Sequence, residues 1–148
     1  MSNTKDEKLT PHFTFSELVV TDYKDLQEKN KDKALEYRPQ IQKLADFAES
    51  VREILGVPMI ITSGFRCEEL NKRVGGSALS QHIRAEAIDF IPLKMSAYEA
   101  FAKIMLSNIE YGQLIIYTRG ISHFLHISIG SKRQKMFSAK VGEYGNVL

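Results

Sequence analysis

The stretch from Pro39 to Thr62 constrains the fold more than any other part of this chain. Ile41, Leu44, Ala45, Ala48, Val51 and Leu55 recur at three- and four-residue spacing, which places them on one face of a helix. Gly56 then supplies the residue that most readily ends it. Val57-Pro58-Met59-Ile60-Ile61-Thr62 follows at once, an apolar, β-branched run between Gly56 and Gly64 that reads as a strand. An amphipathic helix needs a surface to cover, and further short strands provide one.

Those strands are predicted at Ala87 to Ile91, stopped by Pro92, at Leu114 to Tyr117 and at Phe124 to Ile129. Between them, Glu68 to Val74 reads as a short helix with acids at its start and bases at its end, matching the helix dipole. Gly75-Gly76-Ser77 breaks that helix and opens a loop to His82. Thr14 to Glu17 and Ser96 to Glu99 have capping-box spacing, predicting a short helix over Ser16 to Val20 and a longer one burying Ala97, Phe101, Ile104 and Met105. Asp22 to Arg38 is charged and weakly patterned, a loop or an exposed helix. The fold class is therefore α+β, with helices packed on a small, mainly antiparallel sheet.

At 148 residues, 43% hydrophobic and 26% charged, the chain can bury one core without disulfides, so one domain over residues 1–148 is expected, with residues 1–12 and the last residues loose. A net charge of +2 gives no reason to expect a nucleic-acid partner. Lys132, Arg133, Lys135 and Lys140 form the only local excess of base and read as a solvated face. Cys67 is alone, so no internal disulfide forms. The charged N-terminus lacks the apolar run of a signal peptide, and no segment has the roughly 20 apolar residues of a membrane span. Synthesis in a cytoplasm is expected, with any work outside requiring another exit, such as host lysis or a phage particle.

Strand alternation picks out a possible site. It sends Ile88 and Phe90 to one face and Asp89 to the other, and likewise separates Leu125, Ile127 and Ile129 from Phe124, His126 and Ser128. If the two strands are neighbours, Asp89 and His126 share a face, and His82 arrives from the loop. Two imidazoles and a carboxylate suffice for a catalytic zinc, which takes three protein ligands and leaves a position for water. Any one of these residues alone is as well explained by a structural role.

The surrounding motifs weigh on that choice. Ser63-Gly64-Phe65-Arg66, Asn71, Val74-Gly75-Gly76-Ser77, the stretch Ser80 to Asp89, and Phe124 to Ser128 together resemble the zinc D-Ala-D-Ala carboxypeptidases and related bacterial and phage peptidoglycan peptidases, whose fold is shared with the hedgehog signalling domain. The resemblance covers roughly residues 13 to 130. It implies that His82, Asp89 and His126 are zinc ligands, that Arg66 contacts the substrate and the charge developing in the transition state, and that Ser80 positions substrate or ligand loop. Asn71 and Gln81 are candidate supporting residues, and Gly75 and Gly76 serve the turn. The implied activity is hydrolysis of D-Ala-D-Ala or a nearby cross-link bond in peptidoglycan by a zinc-activated water, by a monomer acting on the cell wall as a phage lysis or tail-associated enzyme.

Two positions depart from the family pattern. Many relatives carry an Asp or Glu three residues before the last zinc histidine as general acid and base, and here that residue is His123. An imidazole can carry a proton near neutral pH, so His123 is the expected catalytic acid and base, although strand parity lets it reach the metal site only if the backbone turns or bulges there. Glu86 is the nearest alternative carboxylate. The second departure is Ala85, where the family has glycine; a requirement for a small side chain, rather than for positive φ, is the expectation. The rival reading is a weakly active or inactive zinc-binding module that binds cell wall or serves a phage structure, and a third is a peptidase of some other peptide.

Overall fold

A computed structural model describes residues 7–140 of the chain. Strands β1 (Lys8–Thr10) and β2 (Phe13–Thr14) make a two-stranded ribbon, and helices α1 (Gln27–Leu35) and α2 (Arg38–Leu55) follow. Next come β3 (Met59–Ser63), α3 (Glu68–Arg73), β4 (Ala87–Pro92), α4 (Ala97–Leu106), β5 (Gln113–Arg119), β6 (Ser122–Ser128) and β7 (Gln134–Lys140). The last five strands form one sheet in the order β3-β4-β6-β5-β7. Every neighbouring pair in it is antiparallel except β5 and β7, which are parallel.

The periodicity of α2 is realised in full. Its six apolar positions are all buried, Pro39 sits in the first turn where a missing N–H costs nothing, and Gly56 adopts φ +71 as the left-handed cap. Together α2 and α4 cover one face of the sheet, against rows built from Ile61 and Phe90, Ile88 and Ile127, and Ile116 and Leu125. The capping box at Thr14 is reciprocal: the Glu17 amide donates to Thr14 Oγ1 at 3.3 Å and the Thr14 amide to Glu17 Oε1 at 2.9 Å. The element it starts is a single tight turn over Ser16–Val19 that buries Leu18 and Val19. In α4 the buried stripe is Ala97, Ala100, Phe101 and Ile104, with Met105 only partly covered.

Two local expectations change. Residues 8–10, expected to be loose, form β1, tied down by β2, by the Gln42 side-chain amide Nε2 donating to the Leu9 carbonyl, and by packing on α2. Residues 1–6 and 141–148 lie outside the described residues. The basic segment after Gly130 is not a solvated face throughout, because β7 adds to the edge of β5. Arg133, before that strand, lays its guanidinium over Tyr111 and donates to the carbonyls of Ile109 and Met105, closing the chain that leaves α4. Lys132 and Lys135 are exposed as expected. No helix among the described residues is long and apolar enough to cross a membrane.

Candidate metal centre

The site lies on the sheet face that α2 and α4 leave free. Asp89 on β4 stands directly opposite His126 on β6, so the register between strands far apart in sequence brings the two side chains onto one face. A register irregularity between Ile61 and Ser63 adds Ser63 opposite Asp89, although Ile61, two residues earlier, faces the core. The loop after α3 closes over this row and delivers His82 from a tight helical turn spanning Gln81–Arg84.

His82, Asp89 and His126 converge. All three are buried, and each offers a ligand atom within 4.8 Å of the others. Asp89 Oδ1 lies 2.9 Å from His126 Nδ1 and 3.3 Å from His82 Nε2. The other nitrogen of His82, Nδ1, donates to the Gly64 carbonyl at 2.7 Å. A carbonyl can only accept, so this bond fixes the tautomer and leaves the Nε2 lone pair facing Asp89, the arrangement in which a backbone group orients a metal-binding imidazole. The site's electrostatics suit a cation. Burial keeps His82 below its ordinary value and so neutral; burial alone would raise the Asp89 carboxyl, but the imidazoles and their hydrogen bonds hold it well below the usual carboxylate range. Two neutral imidazole nitrogens and a carboxylate oxygen are a donor set that zinc takes.

Arg66 forms the wall beside the trio. Burial lowers it against the opposing pull of Asp89, yet a guanidinium stays charged throughout the physiological range. Nη2 is 3.5 Å from Asp89 Oδ2, Nε donates to Ser63 Oγ at 3.0 Å, and Nη1 donates to Asn71 Oδ1 at 3.1 Å. Asn71 in turn donates to the Ser77 carbonyl at 2.7 Å, so the same amide holds the arginine and the ligand loop. Ser80 is fully buried and caps the turn that carries His82, accepting from the His82 amide at 3.2 Å. Gln81 is only half-buried and offers its carbonyl to the Glu86 amide. A cleft of about 500 Å³ opens from this wall, bordered among others by Thr21, Tyr23, Arg119 and Phe124.

His123 is not brought into the trio. The pairing of β5 with β6 runs without a bulge from Leu114 to Arg119, so parity holds and the His123 ring lies on the α4 side, packed edge-on against Tyr98 with Nε2 3.5 Å from the hydroxyl. It borders the cleft but faces away from Asp89 and His126. Glu86 is turned outward as well, paired with Arg84 at 2.9 Å. Ala85 overturns the other expectation: its φ of +58 and ψ of 43 are left-handed, so glycine suits this position for backbone freedom and not for size alone.

One supporting residue went unread in the sequence. Asn30 on α1 is fully buried and joins three segments: Nδ2 donates to the carbonyls of Val19 and Phe65, and Oδ1 accepts from the Cys67 amide at 2.7 Å. It thereby clamps the backbone on both sides of Arg66. A faint signal exists, since Leu26, Asn30, Ala34 and Tyr37 make the least charged stripe of an otherwise charged segment.

The model of the family described as peptidase M15 matches residues 11–128, which includes every residue of this site. The chain belongs to the peptidase M15 family. No curated protein matches it. Membership supports a metallopeptidase acting on a peptide substrate, and M15 peptidases are zinc-dependent in general. Among the described residues, His82, Asp89 and His126 form a group that could hold a metal ion.

Proposed function

We propose that this M15 chain is a zinc-dependent peptidase hydrolysing bonds of peptidoglycan stem peptides or cross-links, of the D-Ala-D-Ala type, with His82, Asp89 and His126 holding the metal. The observation that carries the reading is the buried convergence of those three ligand atoms on one sheet face beside an arginine. A bound zinc supplies Lewis acidity at the scissile carbonyl and an acidified water. The chain supplies the rest. His82 and His126 present ring nitrogens, Asp89 stays ionised, and Arg66, locked by Ser63 and Asn71, offers its guanidinium to an oxyanion or carboxylate of the peptide. Ser80 and the Gly64 carbonyl keep the His82 loop in register. The open cleft suits an extended peptide rather than an enclosed small ligand.

One observation favours a second reading. With His123 turned toward Tyr98, no imidazole beyond the metal trio faces the centre among the described residues, which fits a module that binds metal and wall peptide but turns over slowly. A lysis or virion role is part of the proposal only as a route to the wall. The test is metal analysis of the freshly purified protein together with amine release from purified peptidoglycan and from a D-Ala-D-Ala peptide. Stoichiometric zinc and release above the His126→Ala background support the peptidase. Zinc without release favours the binding module, and protein lacking zinc that is indifferent to chelator overturns the ligand assignment.

A further inference from the structure

Three guanidiniums border the cleft, and two of them are committed. Arg66 is engaged by Asp89, Ser63 and Asn71 at its floor. Arg73 makes a two-point bond to Asp25 at 3.0 and 3.1 Å. Arg119, at the end of β5, has no anionic partner among the described residues, yet it is placed. Its guanidinium sits over the Phe124 ring at 5.3 Å, Phe124 stacks on Tyr117 at 5.3 Å, and Tyr117 meets the His126 ring edge-on at 6.4 Å. Pairing within the β5–β6 hairpin puts Arg119, Phe124, Tyr117 and His126 on the same face as Asp89. A row of packed rings thus leads from the metal trio to an exposed cation held over an aromatic surface, where stacking on Phe124 limits its freedom before any anion arrives.

Spacing along the strand indicates what this cation meets. Phe124 is two residues from His126, so the guanidinium above it lies about 7 Å along the strand from the ligand. From a scissile carbonyl to the carboxylate of the next residue is about 3.5 Å, and a charge-assisted hydrogen bond adds about 2.8 Å. We infer that Arg119 is a specificity-determining residue that binds a carboxylate on the residue directly following the scissile bond. This inference rests on the peptidase reading above and deepens it. The carboxylate comes either from a free C-terminus, which makes the enzyme a carboxypeptidase, or from an acidic side chain within a longer peptide.

Zinc-loaded wild type and Arg119→Ala are compared on three probes: diacetyl-Lys-D-Ala-D-Ala, its C-terminal amide, and an amidated peptide with D-Glu after the scissile bond. The expectation is that Arg119→Ala raises KM for a carboxylate-bearing probe by about 10- to 100-fold, with kcat within about twofold and the amide of D-Ala-D-Ala unaffected. Arg119→Lys should recover part of the loss. Loss on the free acid alone identifies the C-terminus, and loss on the D-Glu peptide alone identifies the side chain. Equal effects on acid and amide, or no effect on any of the three probes, overturn the assignment. If no probe is cleaved above the His126→Ala background, the peptidase reading fails separately, and calorimetry with the same probes decides on Arg119. Tighter binding of a carboxylate probe that disappears in Arg119→Ala sustains the inference, and equal affinities end it.

Discussion

Gly64→Ala tests the link between the backbone and the metal centre. A Cβ built on Gly64 would stand 2.3 Å from the Leu18 carbonyl oxygen and 3.0 Å from its carbon, both backbone atoms that no rotamer change can move. Contacts under 3.0 Å are essentially never made by real Cβ atoms, so the two segments must part by at least about 0.7 Å. Two bonds run through this point: the Phe65 amide donates to the Leu18 carbonyl at 2.8 Å, and His82 Nδ1 donates to the Gly64 carbonyl at 2.7 Å. Overpacking of this kind costs about 1–3 kcal/mol. For a chain of this size that lowers the melting temperature by about 3–10 °C. The displaced carbonyl no longer orients His82, and loss of such a partner weakens metal affinity about 10- to 100-fold. Thermal unfolding of the chelated protein and a competitive zinc titration read the two effects independently. Wild-type zinc affinity in a protein destabilised as expected would refute the role given to the Gly64 carbonyl, and an unchanged melting temperature would refute the packing itself.

Other consequences can be measured in the same material. Ala85→Gly should leave the protein unchanged or stabilise it by up to about 1 kcal/mol, because release of a left-handed alanine slightly outweighs the entropy of glycine; denaturant melts showing a loss above that size would contradict the backbone argument. Asn30→Ala strands the Val19 and Phe65 carbonyls and the Cys67 amide, and should cost about 2–4 kcal/mol by chemical denaturation. His123→Ala should leave zinc content intact, and amine-release rates close to wild type are expected from a ring that faces Tyr98. Without metal, stability should fall with acid: the unfolded chain takes up a proton at His82 near pH 6.5 that the buried native imidazole resists, and below about pH 4 the depressed Asp89 carboxyl adds to the loss. Each group contributes a slope of at most about 1.4 kcal/mol per pH unit, and melting temperatures that rise from pH 7 to pH 5 would reverse the sign.

The helices were legible because their information is local. Six apolar residues at helical spacing and a glycine define α2 whatever surrounds it, and two-residue alternation assigned Asp89 and His126 to the face away from the core before their strands were known to touch. The opposite also held. His123, expected as the acid and base provided the backbone bulged, stays where parity puts it because the register is unbroken. Asn30 escaped notice since its partners lie 11, 35 and 37 residues away, and a polar residue in a charged run carries no sign of burial. The last strand escaped too: β7 is recruited by the open edge of β5, and its sequence has no alternation to announce it.

The chain by itself thus determined most of the elements, their buried faces, the candidate ligands and the family pattern that joins them. Tertiary structure decided the rest. The pairing of β4 with β6 set Asp89 against His126 across 37 residues, the closure of the ligand loop aimed His82, and the hairpin register carried Arg119 along a row of rings to the cleft. Periodicity tells which way a side chain points, but only the packing of distant segments, driven by a shared core, tells what it meets there.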